Sequence, residues 1–274
     1  MISLYSGLVL YVLAAGFAFW ALHSGDRRGL QTARFGALFG AIDHLVYLVR
    51  LGARTGHFPV TGAIEAYIVL STAVILLALL LDWMKKWTSL VVATLPLSII
   101  TTLLALALTL VPEATAQPNP ATSSVWTSLH VSTALGSYGA FAIAFVSSIL
   151  YLIAQRQLKD HTAAAMLGLT PSLETVARVN RRAIAAGVAL LAGGLVVGYL
   201  QARIVYGHEH WWRNDPKIYL TSFTLAAYAA ILILSFRPTW KGRRTALAST
   251  AGFLLVMATF WASVFWSAFH RFSH

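Results

Sequence analysis

The sequence predicts an all-α membrane protein: a polytopic helix bundle of about eight transmembrane helices, with both termini on the non-cytoplasmic side. Three observations predict it. Of 274 residues, 58% are hydrophobic and only 11% charged, where soluble domains carry about a quarter charged, and the mean hydropathy is +0.71. Apolar runs of about 20 residues, the length that crosses a hydrocarbon core, recur along the whole chain. Finally, the loops between those runs alternate between basic and basic-poor, the pattern that sets orientation in a bilayer.

The apolar runs place spans at Leu4–His23, Gln31–Arg50, Ala63–Leu81, Leu90–Val111, Val125–Ala154, Ala183–Arg203, Ile218–Phe236 and Leu247–Phe269. Met1–Trp20 has neither a basic n-region nor a small-residue cleavage site, so it reads as a retained first helix. Arg27, Arg28, Arg34, Lys85, Lys86, Arg156, Lys159, Arg178, Arg181, Arg182, Arg237, Lys241, Arg243 and Arg244 fall on one side, which the positive-inside rule makes cytoplasmic. Arg50, Arg54, Arg203, Arg213, Lys217 and Arg271 fall on the other. With an even number of spans, both ends then face outward.

This topology also removes several function classes. A net charge of +11 would suggest nucleic acid as a partner in a soluble protein, but here it reports retained cytoplasmic loops. The absence of cysteine excludes disulfides, thiolate metal sites and thiol exchange by this chain. Inverted repeats and spans broken at the midplane, the marks of secondary transporters, are not evident. The His208-Glu-His210 triplet is not the helical zinc-protease pattern.

Nine histidines are distributed unevenly on the drawn topology. His130, His208, His210, His270 and His274 lie at or beyond outer helix ends, with His57 in the same compartment, whereas His23 and His161 fall near the inner face. Imidazole binds iron, and a low-spin heme takes two axial nitrogens from opposite faces, which a pair such as His130 and His270 on different helices could supply. Histidines at helix ends are equally read as interfacial residues in contact with headgroups and water. His44, beside Asp43, lies within the second span, where an ionisable group is costly unless it faces the bundle. The segment His208–Lys217 concentrates Trp211 and Trp212, imidazoles and an acid; its Asp215-Pro216 step makes a turn, and Arg213 or Lys217 could meet carboxylates of a planar ligand. An ordinary aromatic belt would satisfy the same tryptophans. Glu65 stands at the outer start of the third span, with Arg50 and Arg54 as candidate partners.

At these residues the chain resembles the cytochrome c assembly protein family, the heme-handling membrane proteins of the CcmC/CcsA type. His44 with Arg50, then Gly56-His-Phe-Pro59 and Glu65, is similar to that family's transmembrane histidine and the outer loop leading to its Glu. Leu129-His-Val-Ser132 with Ser137-Tyr138 resembles its first outer histidine, and Pro171-Ser-Leu-Glu174 with Asn180-Arg181 its cytoplasmic loop. Trp211-Trp-Arg-Asn-Asp-Pro-Lys217 resembles the tryptophan-rich signature, with Asn214 where that signature has Trp and Ile218 where it has Glu. Trp240-Lys-Gly-Arg-Arg244 and the terminal Phe269-His270 complete the order.

The resemblance implies a single transmembrane cytochrome c assembly-type domain over residues 1–274, in a bacterial inner membrane. It implies that His130 and His270 are axial ligands to the iron of a non-covalent heme b resting on Trp211, Trp212, Asp215 and Lys217, with His44 and Glu65 in the heme path. It further implies delivery of heme to apocytochrome c on the outer face, together with other maturation proteins, including a thiol-reducing partner and an outer-domain partner. Membrane lipid is a partner and nucleic acid is not. Such a chain is a component of heme attachment rather than a stand-alone enzyme. The alternative is a divergent relative serving as a non-catalytic membrane subunit or regulator of another complex, which the altered signature favours. The seventh span has no histidine to partner His44.

Overall fold

The computed structural model describes residues 2–56, 59–60, 62–110, 125–159, 171–206 and 215–265. Among them are eight α-helices and no strand: α1 Ile2–Ser24, α2 Arg27–Thr55, α3 Ala63–Lys85, α4 Thr88–Leu108, α5 Val125–Lys159, α6 Leu173–Tyr206, α7 Pro216–Ser235 and α8 Arg243–Phe265. The first seven are long and apolar enough to cross a membrane. The expected end of the eighth span, Phe269, lies outside the described residues.

Several helices begin or end beyond the expected spans, chiefly at the basic end of the bundle. α2 starts at Arg27 instead of Gln31, α5 runs on to Lys159, and α6 starts at Leu173, ten residues before the apolar run. Hydropathy marks only the hydrocarbon segment, whereas a helix persists wherever its caps and surface pairs support it. Asp26 caps α2, its carboxylate accepting from the Arg28 N–H at 2.8 Å. Ser172 opens α6, and Glu174 pairs with Arg178 at 2.7 Å one turn on, the favourable i,i+4 order. At the other end of α2, Gly56 takes the left-handed conformation with φ 73° and its N–H donates to the Gly52 carbonyl, a termination suited to glycine.

Neighbours in sequence pack as pairs, α1 on α2, α3 on α4, α5 on α6 and α7 on α8, and α5 also packs on α3, α4 and α8. α5 is the central element: 72% of its most apolar window is buried, against 22% for α7. Its Phe141 stacks on Tyr228 of α7 at 3.8 Å and its Phe145 on Phe253 of α8 at 4.5 Å. The outward faces carry large apolar side chains such as Phe19, Phe35, Val49, Ile204 and Leu254, as lipid solvent allows.

Because lipid is as apolar as leucine, helices in a membrane gain little from hydrophobic burial against one another and rely on close packing and shared hydrogen bonds. Both are present. On α2, Gly29, Gly36 and Gly40 face Ala21, Ala14 and Tyr11 of α1; on α6, Gly187, Gly194 and Gly198 face Phe141, Thr133 and His130 of α5. Polar ties join other pairs. Ser71 of α3 donates to the Ser98 carbonyl of α4 at 3.2 Å. The Asn180 amide of α6 donates to the Ala144 carbonyl and the Ser148 hydroxyl of α5, each at 2.7 Å, and Thr224 of α7 meets Thr259 of α8 at 3.1 Å. Near the basic end, Arg34 of α2 pairs at 2.6 Å with the buried Asp82 of α3, which also accepts from Thr88 at the start of α4.

A β-carbon at position 187 would run into the Phe141 ring. Gly187→Val is therefore expected to destabilise the protein by about 1–3 kcal/mol, read as a lower thermal unfolding midpoint in detergent. Gly193→Ala, whose β-carbon meets nothing within 4 Å, leaves the midpoint near wild type.

Candidate functional site

His44, Glu65, His130, Asp215 and Lys217 are described; His270, Trp211 and Trp212 lie outside the described residues, as do His57, His161 and the His208–His210 triplet. Among the described residues no three His, Asp or Glu side chains gather as a metal site.

His130 lies in the second turn of α5, at the end of the bundle opposite the basic loops, and its ring lies across the face of α6. Its Nδ1 is 2.7 Å from the Gly194 carbonyl oxygen. A carbonyl oxygen only accepts, so Nδ1 carries the proton and, in the neutral ring, Nε2 keeps the lone pair. This is how proteins orient a ligating histidine: one ring nitrogen is tied to a backbone carbonyl, which fixes the tautomer and the ring plane for the other. The approach requires glycine on α6, because a β-carbon at Gly198 would stand 2.6 Å from Nδ1 and Cε1 of the ring. One turn further out, the Gln201 amide donates to the Thr127 hydroxyl at 2.6 Å and closes the same seam.

Gly194 and Gly198 are the positions beside His130 that sequence reasoning passed over. Their signal was the recurrence of glycine at 187, 194 and 198, spacings of seven and four that put all three on one helical face.

Lys217 is within electrostatic reach of His130, so α5, α6 and the start of α7 converge at this end of the bundle. Asp215-Pro216-Lys217 is the start of α7: the Asp215 carboxylate accepts from the Lys217 N–H at 2.8 Å, and Pro216 occupies the first turn, where its missing N–H costs nothing. Asp215 is almost wholly buried. The turn expected at Asp-Pro is thus a helix cap, and it fixes where the preceding tryptophan-rich segment joins the bundle.

His44 sits elsewhere, between α1 and α2. It is fully buried, its ring meets Tyr11 edge-on at a centroid distance of 5.2 Å, and neither ring nitrogen has a hydrogen-bond partner among the described residues. The neighbouring Asp43 accepts from the Ser6 hydroxyl instead. The Nε2 edge of His44 faces Gly7, where a β-carbon would stand 2.6 Å away. Such an orphaned buried imidazole carries a desolvation cost; its ligating edge is covered by α1.

Glu65, in the first turn of α3, folds back over Gly62 so closely that a side chain there would collide with its carboxylate. An acid in the first turn also complements the helix dipole. Tyr47 of α2 lies within its electrostatic reach.

Comparison with known proteins places the chain in a family. The profile of the family described as Cytochrome C assembly protein matches residues 60–270, more than three quarters of the chain. The chain belongs to the cytochrome c assembly protein family. Among its relatives, the cytochrome c biogenesis protein CcsA of Synechococcus sp. (strain CC9605) is 27% identical over 92% of this chain and 89% of its own length. The protein of the same name from Prochlorococcus marinus (strain MIT 9313) is 26% identical over 93% of this chain and 87% of its own. The matched region contains His130, Gly194, Gly198 and Asp215–Lys217, and excludes α1 and α2 with His44.

The tautomer of His130 is directly observable. In protein labelled with 15N-histidine, His130 is expected to give a protonated Nδ1 and an unprotonated Nε2 resonance, and Gly198→Val to shift or broaden that pattern. The opposite tautomer in wild type would contradict the Gly194 contact.

Proposed function

We propose that this protein binds heme and presents it on the outer face of a bacterial inner membrane for cytochrome c maturation. The observation that carries the reading is His130: an imidazole at a helix end, its Nδ1 engaged by a backbone carbonyl and its Nε2 left to ligate, in a chain of the cytochrome c assembly family. Bound heme supplies an iron that takes two axial nitrogens in its low-spin state. The donor chemistry of His130 fits that requirement, and His270 is the proposed second ligand.

The remaining residues divide by what they do. Gly194 orients His130 and Gly198 makes room for its ring. Asp215 holds the start of α7 and hence the anchor of the tryptophan-rich segment, whose Trp211 and Trp212 are the proposed apolar support for the porphyrin face. Lys217, near His130, offers a cation to a propionate. Glu65 is a proposed outer-end carboxylate along the heme path. His44 enters as a transmembrane imidazole whose ligating edge becomes available only when α1 moves away from α2. The proposed partners are apocytochrome c, a thiol-reducing protein and a protein with an outer domain, since this chain has no cysteine of its own. The proposed orientation, with both termini outside, follows from the basic residues at the other end of the bundle.

Purified in mild detergent, wild type is expected to show the reduced-minus-oxidised spectrum of bis-imidazole heme, lost or shifted in His130→Ala and His270→Ala. Gly198→Val, which displaces the ring without removing it, is expected to weaken heme binding roughly 10–100-fold, the usual cost of losing the support of a ligating histidine. If added hemin binds wild type and both histidine variants alike, the ligand assignment fails and a non-catalytic subunit role takes its place.

A further inference from the structure

At the basic end of the bundle, away from His130, the ends of α5, α6, α7 and α8 enclose a cavity of about 360 Å³. Its charge comes from Arg178, Arg181 and Lys241, and its polar floor from Ser148, Asn180 and Thr245. Among the described residues Glu174 is the one acid on its wall, and it is already paired with Arg178 at 2.7 Å. Arg181, whose guanidinium lies 5.2 Å over the Phe236 ring, and Lys241 therefore bring two further positive charges to the same space. The first turn of α8 supplies another wall through Gly242, Thr245 and Ala246, adding the positive end of a helix dipole. The Tyr151 hydroxyl projects onto Gly242, where any side chain would collide with it.

A concave space with cationic walls, hydroxyl and amide groups on its floor and a helix N-terminus at its side is matched by a tetrahedral anion with several acceptor oxygens. Its position decides the source. The rim at the end of α7 carries Ile233 and Phe236, 64% and 62% exposed, and the adjoining turn of α8 carries the exposed Leu247. An anion seated here could continue into acyl chains lying on the outside of α7 and α8. Basic pockets between membrane helices on the positive side take anionic headgroups in this way.

We propose that this cavity binds a phosphate-ester anion, the headgroup of an anionic phospholipid, between α5, α6 and α8. The site is separate from the heme reading and stands or falls without it. Its occupant would add to the contacts that Asn180 makes there, to the Ala144 carbonyl and Ser148 hydroxyl of α5 and, at 3.5 Å, to the Ser249 hydroxyl of α8.

The test uses the full-length protein, delipidated in neutral detergent and titrated with phosphatidylglycerol, with phosphatidylcholine, or with inorganic phosphate. Lipid retained is counted by native mass spectrometry, and the thermal midpoint is recorded in parallel. Phosphatidylglycerol is expected to bind and raise the midpoint where phosphatidylcholine does not. The Arg181→Gln/Lys241→Gln variant is expected to bind it at least tenfold more weakly, roughly the effect of losing a charge-assisted contact. Arg182→Gln/Lys85→Gln, which removes the same charge from outside the cavity, keeps the wild-type response. Should the double variant fold poorly, Lys241→Gln alone is read by lipid count. A response to inorganic phosphate that the cavity variant loses would keep the anion site but assign it a free phosphate. Equal lipid retention by the cavity and control variants, or no preference for phosphatidylglycerol in wild type, overturns the proposal.

Discussion

The close approach of antiparallel helices through glycine is the constraint on which the rest of this structure depends. In a bilayer, the unfolded alternative for a packed leucine is a lipid-facing leucine, so the hydrophobic effect does little to hold one span against another. Dispersion contacts and hydrogen bonds must do it, and both fall off steeply with distance. Two seams answer that demand alike: Gly29, Gly36 and Gly40 along α2, and Gly187, Gly194 and Gly198 along α6. Each puts glycine opposite a ring or small side chain of its antiparallel partner, at spacings of seven and four residues.

The same two helix pairs hold His130 and His44. His130 lies against Gly198 and is held by the Gly194 carbonyl; His44 lies against Gly7, and its ring nitrogens have no hydrogen-bond partner among the described residues. The packing device is shared, and the chemical outcome differs. One ring has its Nδ1 tied to a backbone carbonyl, and the other lies between helices with its ring nitrogens unmatched among the described residues. The Gly194 carbonyl accepts from a side chain of the neighbouring helix, as the Ser98 and Ala144 carbonyls do elsewhere in the bundle.

Many polar residues buried elsewhere in the bundle are paired either with a carbonyl of their own helix, as Thr72 and Ser147 are, or across helices, as at Ser71 with Ser98, Asn180 with Ala144 and Ser148, and Thr224 with Thr259. Against that background, the cationic cavity near Arg181 and Lys241 and the imidazole of His44 are two places where charge or polarity is left unmatched among the described residues. The first opens at the rim of the bundle, where a ligand can enter, and the second is closed by α1.

Helix number, the position of the spans and the accumulation of basic residues at one end were legible in the sequence, because length and hydropathy answer directly to the thickness and polarity of a bilayer. The place of His130 near a helix end was legible from the span that it opens. What the sequence left open at His44 was its surroundings: whether it faced a ligand, a partner or another helix. The role of Asp215 as a helix cap was half legible, since Asp-Pro marks a start without saying what the carboxylate accepts. Tertiary structure alone decided that Gly194 orients His130, that Gly7 covers His44 and that Arg181 and Lys241 share a cavity. Each of these joins residues on different helices, and which faces meet depends on the rotation and approach of whole helices, a property of the packed bundle that no single span encodes.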